Sequence, residues 1–276
     1  MITGRTRIAG VIGSPVTHSL SPLLMNSWIE AAGIDAAYMP FPALSMLSAD
    51  DLRALGMSGL AGLNVTLPFK TLAAECADQK SEAVIETGAA NLLLFNEGGI
   101  EARNTDIDGI ESALGGAGQA FSKCSVLVLG AGGVARAVCA AARQGDASHL
   151  LVCNRTRQKA DELAYIFNAE SLDWANVQDA LISADIVINA TSLGMDGHSG
   201  PDIDWTMCKA GAIVFDTLYT PARRPFTQGA KAAGLTTIDG LSMLIGQARP
   251  SFEALFGVPV PDTVDAEALL RKALGQ

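Results

Sequence analysis

The sequence has no cysteine-pairing pattern. Its five cysteines, Cys76, Cys124, Cys139, Cys153 and Cys208, are odd in number, scattered, and include no Cys-x-x-Cys pair. That is the usage of a reducing compartment, where cysteine serves as a small buried hydrophobe. Basic charge is in deficit: 19 Lys and Arg against 29 Asp and Glu give a formal net charge of −10. Such a surface repels phosphate backbones and anionic lipid, so neither nucleic acid nor membrane is an expected partner. A small anionic ligand stays open, because it feels the charge of its own pocket. No apolar run reaches the roughly 18 residues of a membrane span, and the apolar stretch 8–12 is too short for a signal h-region. The chain is therefore expected to be soluble and cytoplasmic. The lack of a fixed-period repeat or low-complexity tract excludes solenoids and propellers. His18, His149 and His198 stand apart from one another, so no metal site is expected.

What is present is ample core material, 49% hydrophobic against 17% charged over 276 residues, which suits about two domains. Short β-branched runs alternate with longer Ala- and Leu-rich segments. Strands are expected over 7–12, 37–41 and 62–65, helices over 21–32, 49–55 and 71–79, and a hairpin over 91–103 around Glu97-Gly98-Gly99. The stretch 114–119 has the composition of a linker. Beyond it the pattern predicts strands over 125–129, 150–153, 186–189, 212–215 and 236–238, with helices over 133–144, 158–167, 176–182 and 241–256. Such alternation implies parallel pairing in an α/β sheet covered on both faces.

The run Val126–Leu129 leads straight into Gly130-Ala131-Gly132-Gly133-Val134-Ala135 and then a helical segment. This is G-x-G-x-x-A in the strand–turn–helix setting of a dinucleotide site. Gly130 makes the tight turn, Gly132 lets backbone amides approach a pyrophosphate, and Ala135 keeps the helix close to the sheet. The helix N-terminus then offers free N–H groups to the phosphates. The following strand ends in Asn154-Arg155-Thr156-Arg157-Gln158-Lys159, with no carboxylate to bond a ribose 2′-hydroxyl and three cations instead. Those cations suit a 2′-phosphate, so the expected cofactor is NADP (NADPH) rather than NAD.

Five further clusters need explaining: His18-Ser19-Leu20-Ser21-Pro22, Asn64-Val65-Thr66-Leu67-Pro68-Phe69-Lys70, Gly88-Ala89-Ala90-Asn91, Asn104-Thr105-Asp106, and Gln247. Serines two apart before a helix can cap it or present hydroxyls. Asn64 and Thr66 share one face of an extended segment, and Lys70 and Asp106 are candidates for a buried ion pair. In this order, and with Asn189-Ala190-Thr191-Ser192-Leu193-Gly194-Met195, Gly240 and Met243-Leu244, the clusters closely resemble the shikimate dehydrogenase family over essentially the whole chain.

The resemblance implies an N-terminal α/β substrate-binding domain over 1–108, a Rossmann-type NADP domain with a parallel sheet over 109–240, and C-terminal helices over 241–276 packing back on the first. It implies NADP-dependent interconversion of 3-dehydroshikimate and shikimate. By the same match Ser19 and Ser21 hold the substrate carboxylate, Thr66, Asn91, Asp106 and Gln247 hold ring hydroxyls, and Tyr219 lies near the substrate. Lys70 is the proton-transfer residue, paired with Asp106. Cofactor contacts fall to Gly130–Ala135, to Asn154, Arg155, Thr156 and Lys159, to Thr191, Ser192, Leu193, Gly194 and Met195, and to Gly240 and Met243. Departures from the family pattern are Met25 for a usual His, Leu92 for a Thr, Thr220 for an Asn, and the segment Ala222-Arg223-Arg224-Pro225. A quinate or aminoshikimate relative, or a non-catalytic nucleotide sensor, stands as the alternative; the last has no need of a proton donor at Lys70. Monomer and homodimer are equally compatible with the sequence.

Overall fold

The computed structural model describes residues 2–43, 46–195, 200–220 and 225–276. Internal contacts divide the chain into two units, Met1–Asp108 with Leu244–Ala273, and Gly109–Met243 with Leu274–Gln276.

In the first unit the chain forms β1 (Arg7–Gly13), α1 (Ser21–Ala32), β2 (Ala36–Pro42), α2 (Ala49–Gly56), β3 (Gly62–Val65), α3 (Lys70–Cys76), β4 (Gln79–Lys80), α4 (Glu82–Thr87), β5 (Leu92–Asn96) and β6 (Gly99–Arg103). α5 (Asp106–Gly116) starts here and passes into the second unit. The sheet order is β2-β1-β3-β5-β6-β4. β1 lies parallel between β2 and β3, but β5 runs antiparallel to both β3 and β6. This sheet is therefore mixed rather than wholly parallel; the Gly98-Gly99 turn reverses the chain between β5 and β6, where no crossover helix intervenes. Leu63, Val65, Phe69, Ala73, Leu93 and Ala102 form the core between the sheet and its helices. Pro22 sits in the first turn of α1, where its missing N–H costs nothing, and Gly33 ends the helix in the left-handed region at φ 63°.

The second unit holds β7 (Ser125–Leu129), α6 (Gly133–Gln144), β8 (His149–Cys153), α7 (Arg157–Ile166), β9 (Glu170–Leu172), α8 (Val177–Leu181), β10 (Ile186–Asn189), β11 (Ile213–Asp216), α9 (Pro225–Ala232) and β12 (Thr236–Asp239). Its strands are all parallel, in the order β12-β11-β10-β7-β8-β9. Strand order reverses between β7 and β10, and in such sheets ligands bind outside the carboxyl ends of the strands at that point. β7 and β10 are buried almost throughout, which is why both read as unbroken apolar runs. α10 (Gly240–Phe256) begins in this unit and continues into the first, where α11 (Ala266–Ala273) follows. There Phe252 of α10 packs edge-on against Trp28 of α1, ring centroids 5.6 Å apart.

Two sequence expectations change. The stretch 114–119 is no linker at its start, since α5 runs to Gly116 and the units part between Asp108 and Gly109, inside that helix. The helix expected over 71–79 stops at Cys76, and Gln79 and Lys80 pair with β6 instead.

Candidate active site

Lys70 and Asp106 form the centre of a polar cluster in the first unit. Their side chains are 9% and 5% exposed, and Lys70 Nζ donates to Asp106 Oδ2 at 2.5 Å. Stability does not account for this pair. Lys70 is the first residue of α3, where a cation opposes the helix dipole, and burying an ion pair costs desolvation that packing of the same volume avoids. Asp106 is better placed, at the start of α5, with its backbone N–H donating to Asn104 Oδ1 at 3.0 Å. Asn104 in turn donates to Thr87 Oγ1 and the Ala89 carbonyl, fixing the turn that carries Asp106. Two residues beyond Asp106, partial desolvation pushes the Asp108 carboxyl up, and the Asp106 charge adds to it.

Asn91, at the foot of β5, joins the pair to α10. Its Nδ2 faces three acceptors, Thr105 Oγ1 at 2.9 Å, Asp106 Oδ1 at 3.0 Å and Gln247 Oε1 at 3.1 Å. Its Oδ1 accepts from the Thr105 backbone N–H at 2.7 Å. The structure thus brings Lys70, Asp106, Asn91 and Gln247 into one hydrogen-bonded group. Asn64 and Thr66, equivalent by alternation, differ in role. Both Asn64 Nδ2 protons are used, on the Asn91 carbonyl and Ser251 Oγ, and its Oδ1 accepts from Tyr38, so it is scaffold. Thr66 is half-buried, and its methyl lies where a side chain on Gly13 would sit, 2.2 Å from an added Cβ. Gly13 is therefore what leaves room for Thr66.

Ser19 Oγ accepts the Ser21 backbone N–H at 3.3 Å in a local turn, while Ser21 opens α1 and is 7% exposed. These two serines have no bond to the lysine cluster among the described contacts. Met25 and Leu92 are fully packed, at 1% and 0% exposure, and offer no surface to a ligand. Ala222, Arg223, Arg224 and His198 lie outside the described residues. Ser251 and Thr105 belong to the cluster, yet only Thr105 had a sequence signal, its place beside Asp106; a serine inside a helix carries none.

In the second unit the glycine loop has the expected geometry. Gly130 has φ +118°, and an added Cβ would lie 2.7 Å from the Ala190 carbonyl oxygen. Gly132 caps α6 with an ordinary extended backbone, and among the described residues a Cβ there would meet no atom within 4 Å. The protein itself does not require glycine at 132, so the bare backbone leaves space for something outside the chain; this fits a dinucleotide phosphate at the α6 N-terminus. Ala135 is fully buried against the sheet. After β8, Asn154 donates to the Thr156 carbonyl at 3.0 Å. Arg157 is taken up by Asp161, Asp173 and Ser171, at 2.7, 2.9 and 2.9 Å. Arg155, Thr156 and Lys159 are exposed, and α7 has neither an acid in its first turn nor a side-chain cap. Two free cations, not three, thus stand in sequence at the uncapped N-terminus of α7.

At the ends of β10 and β11, fully buried Asn189 donates to Asp216 Oδ1 at 3.0 Å. Asn189 Oδ1 accepts from Thr191 N and Oγ1, and Leu193 N donates to Thr191 Oγ1, which shapes the turn carrying Ser192, Gly194 and Met195. Asp216 Oδ1 also accepts from Leu218 N, next to half-buried Tyr219. Gly240 is buried so tightly that an added Cβ would lie 2.2 Å from the Thr217 carbonyl oxygen, and Met243 is 6% exposed. Among the described residues no group of three His, Cys, Asp or Glu is placed to hold a metal ion, and no helix is long and apolar enough to cross a membrane.

A doubly wound parallel sheet with a glycine turn at its switch point is the architecture of dinucleotide-binding α/β proteins. Residues 11–93 match the shikimate dehydrogenase substrate binding domain, and residues 114–195 match the shikimate / quinate 5-dehydrogenase family. The chain belongs to the shikimate dehydrogenase family. A shikimate dehydrogenase (NADP(+)) of Maricaulis maris is 45% identical over 99% of this chain and 98% of its own. The crystal structure of shikimate dehydrogenase from Aquifex aeolicus superposes with a TM-score of 0.90 at 32% identity, over 98% of this chain and all of the other (100%). Shikimate 5-dehydrogenase of Thermus thermophilus in complex with NADP(H) and shikimate gives a TM-score of 0.86 at 31% identity, over 98% and 100% of the two chains.

Proposed function

We propose that the chain is an NADP-dependent shikimate dehydrogenase that reduces 3-dehydroshikimate reversibly to shikimate. The buried Lys70–Asp106 pair carries this reading, since it has no structural justification and suits proton transfer to a developing alkoxide. What NADPH supplies when bound is the hydride for the ketone carbon. Lys70 gives the carbonyl oxygen its proton and its positive charge; Asp106 orients the ammonium and holds it charged. Asn91, bonded to Asp106, and Gln247, bonded to Asn91, hold ring hydroxyls together with Thr66. Ser19 and Ser21 receive the carboxylate through neutral hydroxyls, which suits a site that must release its product. Tyr219 lies near the substrate.

The second unit holds the cofactor. Gly130–Ala135 and the α6 N-terminus receive the pyrophosphate. Asn154, Arg155, Thr156 and Lys159 receive the 2′-phosphate, and Thr191–Met195, Gly240 and Met243 join them as cofactor contacts. Five cysteines without a disulfide support a reducing, cytoplasmic location.

The deciding assay follows reduced-nicotinamide absorbance for shikimate and quinate, each with NADP⁺ and NAD⁺. The highest kcat/KM is expected for shikimate with NADP⁺; quinate with NAD⁺ in first place would move the protein to a sister activity. Lys70→Ala should lower kcat about 10²–10⁴-fold while NADP⁺ binding by calorimetry persists. Unchanged turnover in that variant would remove the role given to Lys70.

A further inference from the structure

Ser251 lies in α10 with no exposed surface, one residue after Pro250. Pro250 has no N–H to give the carbonyl four residues back, so one backbone bond of the helix is missing at this turn. The Ser251 hydroxyl has three neighbours here: the Gln247 carbonyl at 3.0 Å, Asn64 Nδ2 at 3.0 Å and Thr105 Oγ1 at 3.1 Å. A hydroxyl carries one proton and two lone pairs. Asn64 Nδ2 can only donate, and a carbonyl can only accept. The Ser251 proton therefore goes to Gln247, and its remaining lone pair takes the proton of Thr105.

That assignment propagates. Thr105, donating to Ser251, turns its lone pairs toward Asn91, whose Nδ2 donates at 2.9 Å. The other places for the Thr105 proton, Asn91 Oδ1 at 3.3 Å and Gln247 Oε1 at 3.4 Å, are longer. The second Asn91 amide proton is then left for Asp106 or Gln247.

We infer that Ser251 is a positioning residue: its hydroxyl fixes the hydrogen-bond direction of Thr105, and through it the orientation in which Asn91 and Gln247 present their amides beside Asp106. The inference rests on the proposal that this cluster receives the hydroxy-acid. Without the hydroxyl, the Thr105 proton turns to Asn91 Oδ1 or Gln247 Oε1 and competes with substrate hydroxyls for those oxygens.

The test is steady-state kinetics of the full chain, varying shikimate at saturating NADP⁺ and then the reverse. Ser251→Ala should raise KM for shikimate about five- to tenfold, the scale of one buried hydrogen bond, and leave KM for NADP⁺ within about twofold. Ser251→Cys keeps the volume but replaces the hydroxyl with a weak hydrogen-bonding group, so it should raise the same KM; Ser251→Thr, which keeps the hydroxyl, should restore it. Should the alanine variant fail to fold, the cysteine and threonine pair carries the test. A shikimate KM unchanged in Ala or Cys, or a parallel rise in both KM values, overturns the inference while wild-type activity leaves the functional proposal standing. Wild-type protein inactive on shikimate removes the functional proposal, and this inference with it.

Discussion

Single residues decide cofactor choice more finely than charge counts do. Arg155, Arg157 and Lys159 are equivalent as a basic run, yet Arg157 is held by Asp161, Asp173 and Ser171 while the other two stand free. An arginine already shared between two carboxylates has little left for a phosphate. Arg155→Ala should therefore raise KM for NADP⁺ about 10–100-fold, the worth of a charge-assisted bond, with little change for NAD⁺. Arg157→Ala should shift both cofactors alike. An equal effect of Arg155→Ala on the two cofactors would overturn its assignment to the 2′-phosphate. The same limit applied to Asn64 and Thr66. Alternation placed both on one face, but which one stays available depends on Tyr38 and Ser251, which lie 26 residues before and 187 after Asn64. Long-range partners of that kind leave no local trace in a sequence.

At the scale of elements, the β7–loop–α6 unit was legible because three independent signals coincide: an apolar run, glycines at fixed offsets, and helical periodicity after them. Their glycines have separable duties. Gly130→Ala forces a side chain into a left-handed backbone against the Ala190 carbonyl, and urea unfolding should show a loss of about 1–3 kcal/mol. Gly132→Ala meets no atom among the described residues, so its stability change should stay below about 1 kcal/mol while NADP⁺ affinity falls. Equal destabilisation by both would contradict that division. Elements that sequence reading missed failed for physical reasons. β4 and β9 span two and three residues, too few to show a period. α5 carries Gly109, Gly115 and Gly116, so its composition speaks for a loop although packing of Ile110, Ala113 and Leu114 makes it a helix. α4 is six residues long, and only its Ser81 cap, which accepts from Val84 N, marked it.

For the molecule as a whole, the five free cysteines provide a probe of integrity, because they lie in both units. Burial pushes the Cys139 and Cys153 thiols up to about 12, and that of Cys208 to about 11. Thiolates are the reactive form, and raised values leave almost none at pH 8. A thiol reagent at pH 8 should label Cys139 and Cys153 only when the fold opens, and all five cysteines in denaturant, with mass spectrometry locating the adducts. Rapid labelling of Cys139 in the folded protein would contradict the packing of α6 on its sheet.

The first unit is made of two pieces of chain, residues 1–108 and 244–273, with residues 109–243 of the second unit between them. On the ribosome residues 109–243 of the second unit are therefore made before the segment that completes the first. Until the last segment emerges, the nascent first unit has its strands but neither Gln247 nor Ser251, and the amide of Asn64 and the hydroxyl of Thr105 have no mates on that side. The unit begun first is thus closed only after residues 109–243 have been made. Before that segment is made, the portion bearing Lys70 has only water to satisfy the groups that Ser251 later meets.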